Sequence, residues 1–277
     1  MSENNKEFVE GLARGLSVIQ AFDAATPELT LSDVARRTGL SPATARRSLH
    51  TLVQLGYVRC VNRRFLLTPK ILTLGSAYLR SAHIEDALLP ELRRLVKIFG
   101  DAASVAVLNG DDILYVAHHS EQGATRPVAG TGVTYPAYAT SLGRVLLAAQ
   151  PDEVVARYLR SARLERLTDV TETDPERLLD IVRKVRGDGY AIVIDQLAYG
   201  VSSIAMPIMA GPGRPIAAVN SSGYSGRLSP ETLVETRLGE LRRTAAQISE
   251  TLLRYPALRH SLERDGGESG PDRAMAG

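Results

Sequence analysis

Arg46, Arg47 and His50 stand in a stretch whose spacing suits contact with a polyanion. If residues from Pro42 onward form a helix, each advances by about 100°. Ala45, Leu49 and Leu52 then fall on one side, Ala43, Arg47, His50, Thr51 and Gln54 on the other, and Arg46 at the border. A guanidinium at Arg47 can bond a guanine edge through two parallel N–H groups, and Arg46 can reach a base or a phosphate. Ser41 and Thr44 at the helix start can bond phosphate oxygens, aided by the free N–H groups there. Arg63 and Arg64 lie in a short turn further on, and Arg36 and Arg37 add positive charge. Any one of these arginines is also what an ordinary solvated helix face carries, so their meaning depends on the elements that hold them.

A second set of residues suits a small organic anion. Thr140 and Ser141 precede an apolar helical pattern (Leu142, Val145, Leu146, Ala149), so free N–H groups of Ser141, Leu142 and Gly143 can hold a carboxylate at the helix N-terminus. A plain structural cap reads the same way. Asp195 follows an apolar run, Gly200 breaks the chain and Ser203 opens another run. Asn220 and Ser222 alternate, so on a strand they share a face. Arg126 and Arg144 are further cations within reach of a carboxylate by type, although nothing in their spacing selects them.

The elements needed to position the first set follow in order. Phe8, Val9, Leu12, Leu16, Ile19 and Phe22 predict a helix ending near Ala24. Thr30 and Asp33 resemble a capping box before a short helix that Gly39 ends. Ser41 and Pro42 start a third helix that runs to Gly56. Residues 57–61 and 64–67 read as strands joined at Asn62 and Arg63, and Pro69 opens a linking helix through Ser81. Two helices separated by a glycine turn, followed by a hairpin, are a winged helix-turn-helix.

Beyond residue 82 the pattern interleaves helices and strands. Helices are predicted over 82–99, 141–149, 152–161, 175–186 and 230–254, and strands over 103–108, 113–118, 190–194, 203–209 and 216–220. Gly110, Asp111 and Asp112 form a hairpin turn in this reading. The fold class expected is α+β: an N-terminal winged helix-turn-helix over 1–68, a linker helix over 69–81, and a C-terminal α/β effector and oligomerisation domain over 82–260. That last domain is expected to be GAF-like, on a largely antiparallel sheet. The polar, glycine-rich segment 261–277 is expected to be a disordered tail.

Charge divides along the same line. Through Ser81 there are eleven Lys and Arg against six Asp and Glu, whereas the remainder has 22 against 25, so an anionic partner is indicated for the front alone. Cys60 is the single cysteine, which excludes an intrachain disulfide and a cysteine-based zinc cluster and fits a reducing compartment. The first fifteen residues lack the apolar run of a secretion signal, and no run of about twenty apolar residues is present. A cytoplasmic location is expected, with no membrane partner.

LTLSDVARRTGLSPATARRSLHTLVQLGYV resembles the DNA-binding half of the IclR family of bacterial regulators, and ATSLGRVLLA, YGVSSIAMPI and AAVNSSGYSGRLS resemble three ordered signatures of its ligand-binding half. RRFLLTPKILTLGSAYL and YPAYATSLGRVLLA are most similar to regulators of protocatechuate, p-hydroxybenzoate and β-ketoadipate catabolism. The resemblance implies operator DNA and a small carboxylic or aromatic acid as partners, and self-association as dimers or tetramers. It also implies backbone donors at Ser141 and Leu142 and side-chain contacts from Ser203, Asn220 and Ser222. Gln196 stands where an acidic residue is common in the family, four positions before Gly200, and Asn220 where a small hydroxyl residue is frequent. No cofactor, metal or catalytic activity is expected. An enzyme built on Ser203, His118 or His119 and Asp195 is disfavoured because no nucleophile-elbow pattern surrounds Ser203 and the two adjacent histidines would point to opposite faces of a strand. A purely architectural DNA protein is disfavoured by the acidic second half.

Overall fold

The computed structural model describes residues 7–23, 25–121 and 129–263, and the chain divides between Tyr78 and Leu79 into two units. In the first, α1 (Glu10–Gln20), α2 (Leu31–Thr38) and α3 (Pro42–Gln54) precede strands β1 (Val58–Val61) and β2 (Arg64–Leu67). Each boundary has a local cause. Asp33 N–H donates to Thr30 Oγ1 while Thr30 N–H donates to the Asp33 carboxylate, which closes the capping box at α2. Gly39 ends α2 at φ 67°, a conformation that glycine adopts without steric cost. Val18, Val34, Ala45, Leu49, Leu52 and Val58 are buried together, so the apolar faces foreseen on the helices close one small core. The hairpin pairs Val61 with Arg64, and Asn62 and Arg63 both take positive φ, as a two-residue type I′ turn requires.

The linking segment begins as a single 3-10 turn, Pro69–Ile71, and becomes α4 (Leu72–Ser81), none of whose residues is buried. One helix was expected over 82–99; two are present, α5 (Ile84–Ala87) and α6 (Leu89–Phe99). His83 takes a left-handed conformation at φ 53°, which stops α4. Pro90 lacks an N–H and is tolerated only in a first turn, so a new helix starts beside it.

The second unit is built on β3 (Ala102–Asn109), β4 (Asp112–Ser120), β5 (Thr134–Pro136), β6 (Ala191–Ile194), β7 (Val201–Met209) and β8 (Pro215–Tyr224). Their order is β5-β4-β3-β8-β7-β6 and every pair is antiparallel, as expected. Gly110 at φ 61° makes the β3–β4 turn. One face packs on α6 and on α10 (Pro230–Leu252), burying Val105, Ile204, Ile208, Val219, Leu241 and Ile248. The other packs on α7 (Ser141–Ala148), behind which lie α8 (Asp152–Ser161) and α9 (Pro175–Asp188). All eight residues of α7 are buried, as befits a helix enclosed between a sheet and another helix. β5 and α11 (Pro256–Leu262) were not foreseen; each is too short to show a periodicity. Residues 261 and 262 of the expected tail thus belong to α11, and residues 264–277, like Arg126, lie outside the described residues.

Candidate DNA interface and effector site

On α3, Ala45, Leu49 and Leu52 are buried, whereas Ala43, Arg46, Arg47, His50, Thr51 and Gln54 are exposed. Arg46, Arg47 and His50 have no ion pair or side-chain hydrogen bond among the described residues, so their donors remain available to another molecule. Ser41 is committed to the helix cap. Its Oγ accepts from Thr44 N–H at 3.3 Å and donates to Thr44 Oγ1 at 2.9 Å, which leaves the Thr44 hydroxyl proton as the free donor of the pair.

Arg36 is exposed and pairs with Asp33 one turn earlier. Arg37 differs from the expectation. Its Nη1 bonds Asp23 Oδ2 at 2.7 Å and the Ala21 carbonyl at 2.9 Å, so it ties the end of α1 to α2. Hydrogen bonds from Thr26 and then from Arg37 hold the Asp23 carboxyl down to about 2. A side chain spent on two internal acceptors is a brace for the helix-turn-helix before it is a phosphate ligand.

Arg63 occupies the second turn position of the hairpin at φ 64°, where glycine is the unstrained choice. A charged side chain is therefore held at the wing tip at a conformational cost. Replacing Arg63 with glycine is therefore expected to stabilise the isolated first unit by about 1 kcal/mol while weakening DNA binding. Thermal melts paired with DNA titrations test this; a variant that gains no stability would remove the strain argument.

In the second unit, Thr140 Oγ1 accepts from Gly143 N–H at 3.0 Å and thereby caps α7. Gly143 is thus not a free donor, contrary to expectation, and Ser141 and Leu142 keep the unused N–H groups of the first turn. A Cβ on Gly143 would lie 2.1 Å from the Ala137 carbonyl oxygen, so this glycine permits the close approach of α7 to the 3-10 turn Ala137–Ala139. Leu142 itself is fully buried in the apolar core.

Strand register decides which polar residues meet. Ser203 pairs with Ser222, and Asn220 with both Ser104 and Ala205, so Ser104, Ser203, Asn220 and Ser222 stand on one face of the sheet. That face is turned toward α7, because Ala106, Ala205 and Ala218, alternating with them, pack against Leu142 and Leu146. Ser203 Oγ meets Ser141 Oγ at 2.9 Å, and Asn220 Oδ1 accepts from Ser104 N–H at 2.9 Å. Ser222 donates a long bond to the Ala102 carbonyl.

Asp195 does not join them. At φ 56° its Oδ1 accepts from Gly200 N–H at 2.8 Å and closes the β6–β7 loop, a local task that answers why a carboxylate follows the strand. Arg144 is buried, its Nε donating to the Tyr138 carbonyl and its Nη2 to Gln196 Oε1. Burial pulls the guanidinium down to about 10, partly offset by Glu172. It stays protonated at neutral pH. Its partner Gln196 is a neutral amide, so this contact brings the guanidinium no counter-charge.

Ser104, His118, Tyr115 and Tyr135, on β3, β4 and β5, share the α7-facing side; sequence reasoning considered His118 only for the disfavoured enzyme and did not single out the other three. A serine in the apolar run of β3 was the available signal. Ser203 bonds Ser141 and His118 bonds Ser104, so the serine and histidine of the imagined enzyme are not paired. Among the described residues there is no group of three or more metal-ligating side chains, and no helix is long and apolar enough to cross a membrane.

A winged helix-turn-helix joined to a sheet domain with an inward polar row is the architecture of a DNA-binding regulator with a ligand-sensing module. The chain belongs to the IclR family: residues 11–61 match the IclR helix-turn-helix domain and residues 76–250 match the bacterial transcriptional regulator IclR C-terminal domain. It is 41% identical to the Pca regulon regulatory protein of Pseudomonas putida over 228 residues, covering 82% of this chain and 78% of that one. A crystal structure of a transcriptional regulator from Rhodococcus sp. RHA1 superposes with a TM-score of 0.73 at 42% identity, covering 89% of this chain and 99% of the other. An IclR homologue of Microbacterium hydrocarbonoxydans, solved with 4-hydroxybenzoate, gives a TM-score of 0.68 at 26% identity over 88% of this chain and 99% of its own. The protein is an IclR-type transcriptional regulator, and its relatives are regulators rather than enzymes.

Proposed function

We propose that this regulator binds operator DNA through α3 and the β1–β2 wing and answers to a small aromatic acid held between α7 and the sheet. The polar row Ser104, Ser203, Asn220 and Ser222 on the sheet face toward α7, joined to the start of that helix where Ser203 Oγ meets Ser141 Oγ, is the observation that carries the effector assignment. Donors at a helix N-terminus suit a carboxylate, and the nearby charge of Arg144 favours an anion. Similarity to the Pca regulon regulator and to the 4-hydroxybenzoate-bound homologue supports an aromatic acid of the protocatechuate and β-ketoadipate pathway.

Residues 1–68 are the DNA-binding part in this reading, α4 with its preceding turn is the linker, and the remainder to about 260 is the effector and oligomerisation part. Leu12 and Leu16 on α1, and Leu72, Leu74 and Tyr78 on α4, are large exposed apolar side chains. They suit burial against a second copy, as two half-sites require of a dimer. An effector alters DNA affinity only if it binds two arrangements of such a dimer unequally, and α4 is the covalent path between the units. A regulator of this kind works where the chromosome is, in the cytoplasm.

Fluorescence anisotropy with promoter-proximal DNA at fixed salt tests the whole reading, with and without protocatechuate, 4-hydroxybenzoate and β-ketoadipate. Sequence-specific binding altered by one of the acids is the expected result, and specific binding indifferent to all three would end the effector assignment. In the same assay Arg47→Ala is expected to lose roughly 10- to 100-fold in affinity for the operator and less for random DNA, as a base-reading contact would. Equal loss on both DNAs would make Arg47 a phosphate ligand.

A further inference from the structure

The sheet face that carries the effector candidates also holds a relay of polar groups that the carboxylate assignment leaves unused. β3 and β4 bring Ser104 opposite His118, and β3 and β8 bring it opposite Asn220, so His118 stands in the same row. His118 Nδ1 lies 2.9 Å from Ser104 Oγ. The Tyr115 hydroxyl, enclosed in the protein, lies within reach of Ser104 as well. The Tyr115 ring stacks against His118 at 6.2 Å between centroids and meets Tyr135 edge-on at 5.4 Å.

The other ring nitrogen of His118, Nε2, has no hydrogen-bond partner among the described residues. No fully enclosed side-chain nitrogen or oxygen among them lacks a partner, so Nε2 borders accessible space, on a ring that stacks with Tyr115. Burial, reinforced by the adjacent His119, lowers the pKa of His118, and the imidazole is neutral at neutral pH.

A neutral imidazole brings no charge to a carboxylate, and it pairs with a hydroxyl in either tautomer. If Ser104 donates to Nδ1, then Nε2 carries the proton and donates outward. If Nδ1 donates to Ser104, then Ser104 passes its own proton to the Tyr115 oxygen and Nε2 accepts. A phenol is donor and acceptor at once and satisfies either state, whereas a carboxylate satisfies only the first.

We propose that Tyr115, Ser104 and His118 form the hydroxyl-reading part of the effector site, with His118 Nε2 bonding the ring hydroxyl of a hydroxybenzoate. The inference rests on the aromatic-acid reading above and deepens it. It makes His118 a specificity-determining residue: it separates hydroxylated from unhydroxylated aromatic acids, and the rings of Tyr115 and Tyr135 give it an apolar, aromatic surround. A site that offers a buried polar group to a ligand hydroxyl penalises the analogue lacking it, because the group is then left unpaired.

Calorimetric titration of the full-length protein with 4-hydroxybenzoate and with benzoate tests this in the native chain, His118→Phe and His118→Gln. The native protein is expected to prefer 4-hydroxybenzoate by at least about tenfold. H118F should lose most of that preference while binding benzoate as before, and H118Q, which keeps a hydrogen-bonding atom, should recover part of it. Equal loss of both ligands in the two variants would give His118 a structural role and overturn the proposal, as would a native protein with no preference. If the native protein binds neither acid, the aromatic-acid reading itself falls, and the hydroxyl reader falls with it.

Discussion

An alanine at Gly143 is expected to destabilise the second unit by more than about 3 kcal/mol, beyond the usual cost of one extra methyl group in a packed interior. The added Cβ would sit 2.1 Å from the Ala137 carbonyl oxygen and 2.4 Å from its Cα. These are backbone atoms, so no side-chain rotation relieves the clash and either α7 or the 3-10 turn before it must move. The movement reaches the proposed effector site, because the N-terminus of α7 places Ser141 against Ser203. Urea unfolding followed by circular dichroism measures the loss. Gly239→Ala is the matching control: it lies at an exposed position of helix α10 with nothing near its missing Cβ, and it should gain about 0.5–1 kcal/mol. A G143A protein within 1 kcal/mol of the native one would show that the helix and turn tolerate separation.

Arg237→Met is the second large effect, expected to cost about 3–5 kcal/mol. Arg237, 4% exposed, reaches from α10 under the sheet, where it pairs with the Asp101 carboxylate, donates to Ser221 Oγ at 2.8 Å and lies over the Phe99 ring at 4.9 Å. Methionine retains the packing but leaves a largely enclosed carboxylate without its counter-charge. Adding Asp101→Asn to the variant removes that charge and should restore a substantial part of the stability. If the double variant is no more stable than R237M alone, the loss comes from packing and the ion-pair account is wrong. Ser221 lies between Asn220 and Ser222 on β8, with its side chain on the opposite face, so this buried pair also secures the strand that carries two effector candidates.

Local chemistry made much of the fold legible. Capping residues, glycine stops and prolines act within a few residues of themselves, so the Thr30–Asp33 box, the Gly39 stop and the start of α3 at Pro42 could be read directly. The same was true of the sharp turns at Asn62–Arg63 and Gly110. Amphipathic spacing placed Ala45, Leu49 and Leu52 in the core and Arg47 and His50 outside, because a helix face is a property of one short segment. The elements that escaped were those without such a signature: the three-residue β5, the seven-residue α11 and the break at His83.

The effector side shows where local reading ends. Alternation along β8 showed that Asn220 and Ser222 share a face, yet only the pairing of β8 between β3 and β7 decides that Ser104, Ser203 and His118 join them. Asp195 and Gly143 have the right residue types at the right positions for a ligand. Their hydrogen-bonding groups are nonetheless taken by partners three and five residues away, Thr140 for Gly143 and Gly200 for Asp195, once the backbone adopts its turns. Arg37 is diverted in the same way to Asp23, fourteen positions earlier. The sequence by itself determined the longer helices, the hairpin, the basic face of α3 and the family, because each is encoded in short-range spacing. The tertiary structure decided which polar groups remain free to meet a ligand, because that depends on register and on close approaches between segments as far apart as Ser104 and Asn220.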